Sequence, residues 1–243
     1  MRLGLDVYSV RSQGWSPEEV LAFAAAEGVS LVHFSEIRLI GSLDAPRLRS
    51  IRADAERRGI AVEIGMRSIS PTSGLFESSQ GTADEQIARM VDAAVTVGSP
   101  IIRCFVGNSL DRLSPGGIER HVEAALDVLR RVRSRVIDAG VKLAVENHSG
   151  DLQARELRDL ILAAGSDVVG ACLDSGNPFW ANEDPHLALE TLAPYVLTTH
   201  LRDTAVWMTD AGAAVRWTRM GDGNIGIAAF LGTLRSRRPD LRG

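Results

Sequence analysis

The feature that most constrains this chain is its rhythm. A short apolar run is followed by an amphipathic helical stretch, and the unit recurs seven times along 243 residues. Leu3–Tyr8 reads as the first strand. Ser16-Pro17-Glu18-Glu19 then starts a helix, with serine as cap, proline at the first position and acids in the first turn, and Gly28 ends it. Leu31–Glu36, Ile60–Met66, Ile101–Val106, Lys142–Glu146, Val168–Asp174 and Val196–Leu201 read as six further strands. The helical period places helices at Pro46–Arg58, Thr82–Val97, Gly117–Asp138, Ala154–Ala163, Pro185–Leu192 and Ile227–Arg235. Thr82 and Glu85 form a capping-box pair at the start of one of them.

Nearly continuous apolar strands fit a parallel sheet covered by helices. No Ser/Pro-rich linker divides the chain. A doubly wound sheet is the alternative, but no Gly-x-Gly-x-x-Gly follows the first strand. The expected fold is α/β, a (β/α)8 TIM barrel forming one domain over residues 1–243. Seven units leave the eighth strand to be expected beyond Pro239-Asp240-Leu241-Arg242-Gly243, since an open barrel exposes two unpaired edges. A seven-stranded incomplete barrel is the other reading.

Composition narrows function. Lys+Arg 27 against Asp+Glu 31 gives a net charge of −4, which does not suit gripping a nucleic-acid backbone. No apolar run approaches the roughly 20 residues of a membrane span. Asp6 falls too early for a secretory signal, and Cys104 and Cys172 make no disulfide framework. A cytoplasmic protein with no nucleic-acid or membrane partner is expected. Lys142 is the single lysine among the basic residues. It precedes Glu146 by four residues, roughly 13 Å lower along the strand, which disfavours Schiff-base chemistry at the strand ends.

In a parallel barrel, function collects where strands end. Three consecutive strands end in Glu146, Asp174 and His200. Each acid follows apolar neighbours, where an unpaired charge is costly. Two carboxylates and an imidazole converging on one point make a divalent metal site. The alternative is that the acids are caps or rim salt bridges to arginine. Alternation puts Glu146 with His148, Cys172 with Asp174, and His200 with Arg202 on common faces. His148 reads as a substrate hydrogen bond or proton shuttle, or else as a packed rim histidine. Glu36 could orient a substrate hydroxyl or pair with Arg38. His33 has the opposite parity to Glu36 and is expected to face the helices; His121 and His186 are expected to be solvated or capping. Arg67, Arg103 and Arg202 near one mouth suit an anionic substrate, with pairing to Glu63, Asp174 or Asp203 as the alternative. Trp180 and Trp207 could wall a sugar pocket, or serve packing or an interface.

The motifs Glu146-Asn147-His148, Asp174-Ser175-Gly176-Asn177, His200-Leu201-Arg202-Asp203 and Gly221-Asp222-Gly223-Asn224-Ile225 resemble the xylose-isomerase-like TIM-barrel family of sugar isomerases, epimerases and related lyases. The resemblance implies that Glu146, Asp174 and His200 bind a divalent ion, with a fourth ligand on a strand beyond Gly243. Mn²⁺ is the foremost expectation, with Mg²⁺, Co²⁺ and Zn²⁺ as alternatives. It also implies a small keto sugar or sugar acid as substrate, proton transfer by Glu146 through an enediolate, and a homo-oligomer. Asn177, expected to bind substrate, stands where epimerases often carry histidine, and an amide cannot shuttle protons. The run His33-Phe34-Ser35-Glu36, with Asp174 to Trp180, is also similar to 3-oxo-isoapionate decarboxylases of this superfamily. An isomerase or epimerase is thus set against a decarboxylase of a 3-oxo sugar acid, an inosose dehydratase, and a sugar-binding subunit without catalysis.

Overall fold

Capping boxes start several of the outer helices. Ser16 accepts from Glu19 N while Glu19 returns a bond to Ser16 N at 2.7 Å, and Thr82 and Glu85 do the same. The computed structural model describes residues 2–241. Its elements run β1 (Gly4–Asp6), α1 (Pro17–Ala26), β2 (Leu31–Phe34), α2 (Ile37–Ile40), α3 (Ala45–Arg57), β3 (Ala61–Ser68), α4 (Ala83–Val97), β4 (Ile101–Phe105) and α5 (Ser109–Arg112). They continue with α6 (Gly117–Asp138), β5 (Lys142–Glu146), α7 (Ala154–Ala164), β6 (Val169–Asp174), α8 (Pro185–Leu192), β7 (Val196–His200), β8 (Asp203–Thr209), β9 (Gly212–Thr218) and α9 (Ile227–Arg237).

Strands β1 to β7 lie side by side in chain order, all parallel, and curl into a nearly closed barrel ringed by the helices. Among the described residues no strand pairs with the outer side of β1 or β7. The main core fills the space between sheet and helices, with Val32, Phe34, Ile51, Ile87, Leu129 and Leu143 fully or almost fully buried. Each such side chain contributes about 1.5–3 kcal/mol by leaving water. Gly65 lets β3 pass close to its neighbour, because a Cβ there would stand 2.5 Å from the Ser35 carbonyl oxygen.

The face of the sheet turned into the barrel is different. Register sets Asp6 beside His33, His33 beside Glu63, Glu146 beside Cys172, and Asp174 beside His200. The barrel interior therefore carries a column of polar side chains.

Two expectations are corrected here. His33 does not face the helices: it is buried in the interior, with Nδ1 3.1 Å from His200 Nε2. Strand β2 ends at Phe34, so alternation does not run on to Glu36, which instead precedes α2. His121 is not solvated: it is 2% exposed, with Nδ1 2.8 Å from Thr72 Oγ1 and Nε2 3.0 Å from Ser114 Oγ. It fastens the β3–α4 loop to α6. The antiparallel hairpin β8–β9 was also not foreseen. Its base is held by Asp203, which accepts from Gly221 N and Gly223 N at 3.0 Å each.

Candidate metal centre and substrate cavity

Strand β5 brings Glu146 to the C-terminal mouth of the barrel with none of its surface exposed. Such a carboxylate must be compensated. Arg103 on β4 supplies the charge, with Nε 2.5 Å from Glu146 Oε2. His200 Nδ1 lies 3.1 Å from the same oxygen, and Asn177 Nδ2 donates to Oε1 at 3.0 Å. Burial alone would raise the Glu146 pKa, but Arg103 and His200 outweigh it and hold the group well below the usual carboxylate range. Burial likewise opposes the charged form of His200, yet Cys172, Glu146 and Asp6 keep its pKa well above the ordinary value.

Asp174 ends β6. Its Oδ1 accepts from Gly176 N at 2.8 Å and Asn177 N at 2.9 Å. Its Oδ2 lies 2.8 Å from Arg202 Nε, but without hydrogen-bond alignment, so this buried oxygen has no hydrogen-bond partner among the described residues. Burial raises the Asp174 pKa despite Arg202. Asn147 joins the two acidic strands, donating to Asp174 O at 3.0 Å and accepting from Asp174 N at 2.8 Å.

The structure brings Glu146 and His200 together, and the third close donor is Cys172. One ligand atom from each of the three lies within 4.8 Å of the others. Imidazole, carboxylate and thiol together fit a divalent cation, and Asp174 neighbours His200 in strand register.

Above this centre is a cavity of about 220 Å³. Eight of the nine residues singled out from the sequence border it: Glu36, Arg67, Arg103, Glu146, His148, Asn177, His200 and Arg202. Asp174 is the exception. Glu36 also pairs with Arg38, and Arg67 with Glu77 at 2.6 Å. His148 stacks on Phe105 with centroids 4.1 Å apart. Its Nδ1 donates to Gly107 O at 2.8 Å, and burial lowers its pKa. Burial thus favours the neutral ring, whose lone pair, with Nδ1 donating, lies on Nε2.

Sequence reasoning missed Asp6, Tyr8 and Trp217, which border the same cavity. Asp6 accepts from Ser35 Oγ at 2.6 Å and stands 3.7 Å from His200 Nε2. Its signal was its place at the end of β1. Trp217 had none, because it belongs to the unforeseen hairpin. Of the two tryptophans proposed, Trp180 sets its edge against Trp217 at 5.9 Å, and Trp207 lies half-exposed on β8. Lys142 bonds Ser166 O at 2.9 Å, at the far end of β5 from Glu146.

A parallel barrel with acids and a histidine at the ends of β5 to β7 defines a class, and the comparisons agree with it. The family model for the xylose isomerase-like TIM barrel matches residues 19–240, and the chain belongs to that family. It is 24% identical over 212 residues to a 3-oxo-isoapionate decarboxylase of Pectobacterium atrosepticum, covering 84% of this chain and 70% of that protein. Among solved structures it resembles the 3-keto-D-glucoside 4-epimerase YcjR of E. coli, with TM-score 0.75, 15% identity and coverage of 100% of this chain and 89% of that one. It also resembles IOLI protein with a bound zinc atom, with TM-score 0.72, 15% identity and coverage of 100% and 87%. No helix among the described residues is long and apolar enough to cross a membrane.

Proposed function

We propose that this chain is a divalent-metal-dependent enzyme of isomerase or epimerase type, acting on a small keto sugar or sugar acid. The observation that carries the reading is Glu146: a fully buried carboxylate, oriented by Arg103 and Asn177, that borders the cavity beside His148. Glu146 and His200, with Asp174 and Cys172 in reach, would hold the ion. When bound, the ion would polarise a substrate carbonyl and so acidify the neighbouring carbon.

The protein's own groups do the rest. Glu146 accepts a proton from that carbon, and Arg103 and Asn177 fix the direction in which its oxygens point. Glu146 returns the proton to the adjoining carbon, and His148 Nε2 hydrogen-bonds a substrate hydroxyl or relays its proton to the neighbouring oxygen. Asn177 orients Glu146 and cannot itself relay protons. Glu36 and Arg202 reach the polar substituents at the mouth, while Arg67 is paired with Glu77.

A second reading is decarboxylation of a 3-oxo sugar acid. It is favoured by Arg202 at the cavity and by the similarity to the Pectobacterium atrosepticum decarboxylase. The deciding experiment incubates Mn²⁺-loaded protein with keto sugars and with 3-oxo sugar acids, following isomers and CO₂ together. Activity should vanish and metal affinity should fall in Glu146→Gln, which removes an anion and a proton acceptor at once. Wild-type turnover and affinity in that variant would make Glu146 structural.

A further inference from the structure

Three arginines reach the mouth of the barrel, and their surroundings set them apart. Arg103 is 6% exposed and spent on Glu146, with Nη1 3.5 Å from Met66 O and its guanidinium carbon 4.8 Å from the Phe105 ring centroid. Arg67 is open to solvent and paired with Glu77, where screening leaves little to offer a ligand. Arg202 is partly sheltered and differs from both. Among the described residues its one ionic contact is Nε to Asp174 Oδ2 at 2.8 Å, and this lacks hydrogen-bond alignment. Its terminal nitrogens make no hydrogen bond to any described residue, and the side chain borders both the 220 Å³ cavity and an adjoining one of about 460 Å³.

The same guanidinium is held in place on its other sides. Its carbon lies 4.7 Å from the centroid of the Trp217 ring, and Trp217 is backed in turn by Trp180. Its stem crosses bare backbone at Gly176, where a Cβ would come within 2.5 Å of Arg202 Cγ. A planar fork packed on an aromatic face, with its donor edge unspent and facing a cavity, has the geometry of a carboxylate receptor.

We infer that Arg202, braced on Trp217, binds the carboxylate of an acyclic sugar acid, so that the cavity selects acids over neutral keto sugars. This rests on the reading of the cavity as a sugar site and narrows its substrate class. Phosphate esters offer related oxygen acceptors, so the test separates the two.

Calorimetric titration of the metal-free, chelator-treated protein with gluconate, sorbitol and sorbitol 6-phosphate compares a carboxylate, a neutral chain and a phosphate on similar acyclic frames. Gluconate should bind at least tenfold more tightly than sorbitol and more tightly than sorbitol 6-phosphate. Arg202→Gln should bring gluconate to the level of sorbitol, and Trp217→Leu should narrow the difference. Arg67→Gln should leave it intact. Arg202→Lys, which keeps the charge and loses the fork, should retain part of the preference, and it decides the matter if the glutamine variant does not fold.

Equal binding of gluconate and sorbitol by the wild type overturns the inference. So does a preference that survives Arg202→Gln, or one that appears only after Mn²⁺ is added. Tighter binding of sorbitol 6-phosphate replaces the carboxylate by a phosphate and overturns it too. Because binding is read without turnover, an acid preference in a protein that converts neither substrate class would keep this inference and sink the proposed function. Turnover of neutral keto sugars without an acid preference would do the reverse.

Discussion

Arg103 and Glu146 form an ion pair sealed inside the barrel, with Nε 2.5 Å from Oε2 and the side chains 7% and 0% exposed. Read from sequence, Arg103 belonged with the substrate-gripping arginines. In the fold it balances the acid on the neighbouring strand, and its donors are spent before any ligand arrives. Removing one partner of a buried pair leaves the other charge uncompensated, which typically costs about 3–5 kcal/mol. Arg103→Met should lower unfolding stability by that order in urea titrations. Adding Glu146→Gln to it should restore much of the loss. A double variant no more stable than Arg103→Met would show that packing of the arginine, and not charge balance, sets the cost.

Glu63 predicts a pH dependence of stability. Burial raises its pKa from 4.5 to about 7, while Thr198 donates to it at 2.8 Å. A raised carboxyl binds its proton more tightly in the folded state than in the unfolded chain. Its contribution is therefore present below the unfolded value and is lost as pH climbs through the folded one. Melting temperature should decline between about pH 5 and pH 7.5, and Glu63→Gln should flatten that limb. The same slope in the variant would assign the decline to other groups.

His33 holds the far nitrogen of His200, and its own Nε2 is buried without a partner among the described residues. Partners that orient a metal-binding histidine typically matter by about 10–100-fold in affinity or activity. His33→Phe keeps a ring and removes that bond. Divalent-ion affinity by calorimetry should fall within that range while far-ultraviolet circular dichroism stays unchanged. Unaltered affinity would free His200 from any dependence on β2.

Asp203 carries the base of the β8–β9 hairpin, accepting from Gly221 N and Gly223 N and, at 2.9 Å, from Thr204 N. Asp203→Ala strands several donors, each costing about 1–3 kcal/mol where water cannot replace the acceptor. Limited proteolysis should cut the variant between residues 203 and 226 faster than the wild type, and gluconate affinity should drop as Trp217 loses its place. Cleavage rates equal to the wild type would move the anchor elsewhere.

The barrel was legible because it is written in local chemistry. Ser16 and Thr82 cap helices through residues three positions on, and apolar runs such as Val169–Leu173 carry their burial in their composition. Position at a strand's end likewise marked Glu146 and His200, because alternation holds while the strand lasts. It stopped being a guide where the strand stopped: β2 ends at Phe34, so counting on to Glu36 turned His33 to the wrong face.

What the sequence determined by itself was the order of strands and helices and the acids and histidine at the strand ends, since these follow from periodicity over a few residues. Partner choice belonged to the tertiary structure alone. Arg103 meets Glu146 across 43 positions, and His33 meets His200 across 167. Trp217 reaches the cavity because an unforeseen hairpin folds back over the mouth. Which charge balances which, and which guanidinium keeps its donors unspent, depends on strand register and burial, and no spacing along the chain encodes either.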